Sequence, residues 1–237
     1  MPQTEMTCHS PATEQAPDGA TRIALIGSPN GGKTSIFNQL TGLHAKTGNY
    51  PGVTVSRSEG VARIHDHTFA IEDLPGTYSL SPISPDEQVV VDVLDGRMDQ
   101  VSAPDALVVV ADATALRRSL LLLAEVLPRH LPTAVVVTMT DELRRRQGSL
   151  DVTALSQALG VPVVAVVANR GIGIGELRNL LTTWHDWDRP PLDPPSRSSE
   201  LAGWVDSVLD TAGYEDPDPD SRTERIDKVL LHPVWGT

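Results

Sequence analysis

The sequence predicts an α/β fold: a doubly wound, mostly parallel sheet of six strands, one antiparallel strand at its edge, helices on both faces, and a small C-terminal helical appendage. Three observations predict it. Residues 23–26, 106–111, 134–138 and 161–167 are nearly continuous runs of Val, Leu, Ile and Ala, the pattern of strands buried on both faces. Stretches of helical character lie between them. The segment GSPNGGKT, Gly27 to Thr34, fits G-x-x-x-x-G-K-[ST], a phosphate-binding loop that joins a strand to a helix.

Taken in order, residues 1–20 are rich in Pro, Thr, Glu and Gln without an apolar period, and read as a disordered tail. The α/β unit spans 21–187. Strand 23–26 runs into the phosphate loop and a helix at 35–40. Residues 54–64 and 68–72 are two strands in succession that turn near His65-Asp66-His67, so this hairpin supplies the antiparallel edge strand. Helix 86–94, strand 106–111, helix 116–127 and strand 134–138 follow. Helix 152–159 has Asp151 as a side-chain cap and Gly160 as a stop. Strand 161–167 and helix 176–184 complete the unit. Residues 188–237 form a Pro-rich linker, in which no helix can continue, and a short helical domain. There Leu201, Trp204, Val205, Val208 and Leu209 recur at helical spacing and need a surface to cover them. Ser221 and Glu224 form a capping box for a last helix lined by Ile226, Val229 and Leu230. Such a hairpin is too small to be stable alone.

Among the 237 residues, 40% are hydrophobic and 21% charged, which suits a globular chain; aromatics are 4%, so the core is aliphatic. The net charge of −12, from 31 acidic and 19 basic residues, argues against nucleic acid as a partner. It therefore argues against a nucleotide-dependent factor acting in ribosome or tRNA biology. The single cysteine, Cys8, excludes an intramolecular disulfide and fits a reducing cytoplasm. No apolar run approaches the roughly 20 residues that span a bilayer, and the N-terminus lacks the basic start and apolar segment of a signal peptide. The chain as given reads as soluble.

The chemistry sits at strand ends. In the phosphate loop, Gly27, Ser28, Pro29, Asn30, Gly31 and Gly32 can turn tightly enough to aim N–H groups at phosphate oxygens, and the helix opening at Ser35 adds its positive end. Lys33 would reach the β- and γ-phosphates, and Thr34 would hold magnesium. Asp73-Leu-Pro-Gly76 follows the hairpin: the Asp73 carboxylate can hold magnesium through water, and the Gly76 N–H can meet a γ-phosphate. Thr54, in a Gly/Pro-rich loop, can join the magnesium shell when a γ-phosphate is present. In Thr138-Met139-Thr140-Asp141 the Asp141 carboxylate can accept two hydrogen bonds from the N1–H and N2–H₂ edge of guanine, a donor pair adenine lacks. Backbone N–H groups around Val167, Ala168 and Asn169 can contact the base oxygen. These features point to a guanine-nucleotide switch and away from an ATP-dependent kinase or motor, for which no second substrate site is found. His65 and His67 read as a solvated turn, Asp86-Glu87 as the acidic first turn of a helix, and Arg144-Arg145-Arg146 as exposed surface.

With GSPNGGKT, TGNYPGVTV, DLPGTYSLSPISPDE and RIDKVLLHPVWG all in order, the chain resembles the cytoplasmic N-terminal part of the ferrous iron transport protein B family, from about Thr21 to Thr237. The resemblance implies a Ras-like P-loop GTPase domain, then a helical domain, then a polytopic membrane region that moves ferrous iron inward. It places the chain at the cytoplasmic face of the bacterial inner membrane, with GTP and GDP and the transmembrane region of the same polypeptide as partners, and any oligomer formed through that region. It implies hydrolysis of GTP with Mg2+ and K+ as cofactors. Thr77 stands where many GTPases carry a water-positioning Gln; the family resembles potassium-assisted GTPases, in which Asn30 and the carbonyls of Gly48 and Tyr50 would hold the ion. The catalytic set so implied is Asn30, Lys33, Thr54 and Gly76. Thr138 replaces the usual Asn of the guanine motif, Val167 replaces a usual Ser, and the helical domain is shorter than the family's. An interfacial Trp235 before Gly236 leads to the expectation that a bilayer-entering segment follows Thr237.

Overall fold

The computed structural model describes residues 17, 19–43, 45–188, 190 and 192–219. Its strands are β1 (Thr21–Gly27), β2 (Ala45–Asn49), β3 (Ser56–Ile64), β4 (His67–Asp73), β5 (Ala106–Asp112), β6 (Thr133–Thr138) and β7 (Val163–Ala165). They form one sheet in the order β2-β3-β4-β1-β5-β6-β7. From β4 to β7 the pairs are parallel, and β3 is antiparallel to both its neighbours.

The mixed sheet with an antiparallel edge is as expected, but it has seven strands where six were expected. The added strand, β2, lies outside β3 and reads AKTGN, with four of its five residues exposed. An edge strand with no buried face has no apolar alternation to reveal it; its pairing is main-chain only, from Ala45 opposite Gly60 to Asn49 opposite Ser56. Two other bounds shift. The strand expected from 54 starts at Ser56, leaving Thr54 in a bend, and the run 161–167 is strand only at Val163–Ala165.

The central strands alternate between two cores. Ala24 and Ile26 of β1 join Leu107 and Val109 of β5 against α2 (Pro85–Leu94), α3 (Leu116–Val126) and α5 (Val152–Leu159). Ile23 and Leu25 join Val108 and Val110 against α1 (Lys33–Thr41) and α6 (Ile174–Thr182). Helix starts follow their side chains: the Ser84 hydroxyl accepts from the Glu87 N–H ahead of Pro85, and Asp151 accepts from the N–H groups of Thr153 and Ala154. One short helix, α4 (Thr140–Arg145), was not foreseen; it begins within the guanine motif, at Thr140.

The apolar stripe foreseen after the linker belongs to α7 (Ser198–Thr211). Val205, Val208 and Leu209 are buried in the same cluster as α3 and α5, so this helix extends the α/β core. The segment after it is pinned as well: the Tyr214 phenol donates to the Ala113 carbonyl at 3.0 Å, and Asp151 N–H donates to Ala212 O at 2.9 Å. The capping box at Ser221 and Glu224, the stripe of Ile226, Val229 and Leu230, Trp235 and the tail 1–16 lie outside the described residues.

Candidate functional site

The site forms at the C-terminal ends of β1, β4 and β6. The chain leaves β1 at Gly27 and enters α1 at Lys33 through two left-handed residues, Asn30 (φ 64°) and Gly32 (φ 88°), the second at the helix cap. This conformation is inexpensive for glycine and tolerated by asparagine. Beside it β4 ends at Asp73, in register with Leu25. Lys33 Nζ forms an ion pair with Asp73 Oδ1, and Thr34 Oγ1 donates to Asp73 Oδ2 at 2.8 Å. Both side chains of the pair are more than nine-tenths buried. Leaving β4, Leu74 N–H donates to Leu25 O at 3.1 Å and Thr77 N–H to Gly27 O at 3.0 Å, so residues 74–77 run along the phosphate loop. A Cβ on Gly76 would lie 2.9 Å from Pro29 N, closer than carbon and backbone nitrogen approach, so the position requires glycine. Around these groups lies a cavity of about 570 Å³ lined by Ser28, Asn30, Lys33, Thr34, Gly76 and Asp86, among others.

A second cavity, of about 310 Å³, adjoins it and is lined by Thr138, Asp141, Val167, Ala168 and Asn169. Gly32, Ser35 and Met139 line both, so the two are compartments of one cleft. Met139 takes a left-handed turn (φ 57°) at the cap of α4, which sets Asp141 in the first helical turn. The cap residue is Met139 and Asp141 is the second residue of the helix, so the carboxylate does not occupy the capping position. Its ion-pair partner is Arg170 at 3.6 Å, and its side chain is 31% exposed. The loop across from it is fastened to α1, where Gln39 Nε2 donates to Ala168 O at 2.9 Å. Val167 lines the cavity, but its N–H donates to Ile172 O at 3.0 Å and is taken out of base contact.

Three expected residues are not brought to the cleft. Thr54 is exposed in a bend, Gly48 sits in β2 opposite Arg57, and neither they nor Tyr50 line either cavity. Tyr50 is 1% exposed; its phenol donates to Glu72 Oε1 at 2.9 Å, and its carbonyl accepts from Val53 N–H at 3.3 Å. Burial first, and the Glu72 carboxylate second, raise the Tyr50 pKa far above the ordinary phenol value, so it remains a donor. Sequence reasoning missed Glu72, which also accepts from Arg57 Nε at 2.8 Å and ties this loop to the strand carrying Asp73. It read Asp86 only as an acidic helical turn; the residue is that, and it also lines the phosphate cavity. Thr77 is fully buried, with its hydroxyl donating to Ser79 O at 2.5 Å, so it cannot act as the absent Gln would.

Residues 21–181 match the family described as Ferrous iron transport protein B. The chain belongs to the ferrous iron transport protein B family. It is 45% identical over 197 residues to the Fe(2+) transporter FeoB of Salmonella choleraesuis, an alignment covering 81% of this chain and 24% of that protein. It resembles the G domain of the T. maritima FeoB iron transporter at 37% identity and a TM-score of 0.63, covering 70% of this chain and 99% of that one. The cytosolic domain of the same transporter in a GDP form aligns at 27% identity and a TM-score of 0.71, covering 81% and 99%. The chain thus has the Ras-like P-loop GTPase fold of the family's G domain. It spans 20–24% of the length of the curated relatives it matches. Among the described residues no helix is long and apolar enough to cross a membrane.

Proposed function

We propose that the chain binds and hydrolyses GTP and acts as the regulatory switch of a ferrous iron membrane transporter, at the cytoplasmic face of a bacterial inner membrane. The observation that carries this reading is the two-compartment cleft, with Lys33 and Thr34, both bonded to Asp73, lining one compartment and Asp141 lining the other. Phosphates fit the first by charge and by the N-terminus of α1; a guanine edge fits the second by its paired donors. Iron transport comes from the family, whose members include the transporter relatives, and the membrane partner is the remainder of such a polypeptide.

Magnesium suits the donor set. Thr34 Oγ1 and the Asp73 carboxylate are hard oxygen donors 2.8 Å apart, and phosphate oxygens would complete the shell. The ion would neutralise charge developing between the β- and γ-phosphates. Lys33 would exchange its contact with Asp73 for the phosphates, freeing that carboxylate. Gly76, held against Pro29, would offer its N–H at the γ-phosphate. Thr54 would join after the loop at residues 48–55 rearranges, which requires Tyr50 to leave Glu72.

Potassium is the second cofactor in this reading. Asn30 lines the phosphate cavity in a left-handed turn, so its side chain can hold an ion there, joined by the carbonyls of Gly48 and Tyr50 once the loop has moved. With Thr77 buried, some other positive charge has to do what an arginine finger does, an effect of about 10³–10⁵ in rate. Hydrolysis is expected to run faster in potassium than in sodium, and Asn30→Ala is expected to abolish the difference. Equal rates in the two salts for the unaltered chain would remove the ion from the mechanism.

Calorimetric titration with GDP, GTP and ATP in magnesium buffer tests the central reading. The guanine nucleotides should bind and ATP should not. Comparable affinity for ATP would overturn it.

A further inference from the structure

Thr138 stands where a guanine motif usually carries Asn, and its surroundings give it another task. It is 2% exposed at the end of β6, and its Oγ1 lies 2.7 Å from Gly31 O and 3.2 Å from Ala111 O. Both neighbours are carbonyl acceptors, and a hydroxyl has one proton to give. Gly31 lies between the two left-handed residues Asn30 and Gly32, at the sharpest part of the phosphate loop. Fixing its carbonyl fixes how the loop's N–H groups point. The methyl group stands close to the loop as well, since a Cβ built on Gly32 would meet Thr138 Cγ2 at 3.4 Å.

We infer that Thr138 is a positioning residue that tethers the phosphate loop to β5 and β6, and that this chain reads guanine without a hydrogen bond to N7. The inference rests on the guanine reading above. Purine N7 is an acceptor only and needs a donor. An Asn amide has two N–H bonds and can give one to the loop carbonyl and one to N7, whereas the single Thr138 proton is committed to the main chain. Base choice then depends on Asp141 at the N1–H and N2–H₂ edge. Ser35 and Asn169 also line the base cavity; an N7 bond from either would reveal itself in the experiment below.

The test is calorimetric titration of the chain with GDP, 7-deaza-GDP (carbon in place of N7) and IDP (no 2-amino group). GDP and 7-deaza-GDP are expected to bind within about twofold of one another, and IDP about tenfold or more weakly. Thr138→Val is expected to weaken GDP and 7-deaza-GDP by the same factor, and Thr138→Ser, which keeps the hydroxyl, to restore both. Thr138→Asn is expected to open a preference for GDP of about fivefold to tenfold, a ratio that a purely structural role would not move. Discrimination against 7-deaza-GDP beyond about fivefold in the unaltered chain overturns the inference while leaving guanine binding intact. So does a Thr138→Val chain with undiminished affinity. Absence of GDP binding, or IDP bound as tightly as GDP, overturns the guanine reading and this inference with it. Should the substituted chains fail to fold, the ratio in the unaltered chain decides.

Discussion

Asp141→Asn is expected to move the preference of this chain from guanine to xanthine nucleotides. The carboxylate accepts from N1–H and N2–H₂ of guanine, and hydrogen bonds to a charged acceptor contribute about 1.5–3 kcal/mol each. The amide can accept one of them but faces the 2-amino group with its own NH₂, so GDP affinity should fall by about a hundredfold. Xanthine carries an oxygen at that position, which the carboxylate repels and the amide can donate to. Xanthosine diphosphate should therefore gain while GDP loses. The geometry favours a clean outcome: Met139, not Asp141, is the cap of α4, and the ion pair of Asp141 with Arg170, at 3.6 Å, is half in solvent, so the substitution removes little from the fold. Titration with both diphosphates measures the effect; unchanged affinities would show that the carboxylate does not read the base.

Lys33→Met should cost both activity and stability, and the two losses are separable. The ammonium pairs with Asp73, and both side chains are more than nine-tenths buried. Removing it leaves that carboxylate with the Thr34 hydroxyl and little solvent, which costs about 3–5 kcal/mol by analogy with other broken buried pairs. Adding Asp73→Asn removes the stranded charge and should recover most of that stability. Hydrolysis should not return, because the phosphates still lack their cation and magnesium has lost a carboxylate; a fall of about 10²–10³ in rate is expected for the single change. Urea unfolding without nucleotide and phosphate release from GTP give the two readings. A single variant as stable as the unaltered chain would show that the pair contributes no net stability.

The legible parts of the site were those where local chemistry forces local geometry. GSPNGGKT needs Gly32 because the turn from β1 to α1 passes through positive φ there, and Gly27 because a Cβ at that position would lie 2.5 Å from Val110 O. Asp151 and Gly160 could be read as the bounds of α5 because a cap acts within one helical turn. Strands β1, β5 and β6 could be read because both their faces are buried, so their central residues had to be apolar. Strand β2 could not: it lies at the edge, its partner bonds to main chain alone, and no side chain had to change for it to form.

What the amino-acid order determined by itself is therefore the α/β class, the phosphate loop, the position of Asp141 after β6 and the family. Each depends on residues within a few positions of one another, where backbone torsions and periodic burial leave a mark in one dimension. Tertiary structure alone decided that Thr138 holds Gly31, 107 residues away. It alone brought Asp86 to the cavity at the phosphate loop, committed Val167 N–H to Ile172, kept Thr54 out of the cleft, and seated α7 on α3 and α5. The physical reason is that a hydroxyl, a carboxylate or an N–H can be written into a sequence, but which acceptor reaches it first depends on how strands far apart in the chain lie side by side.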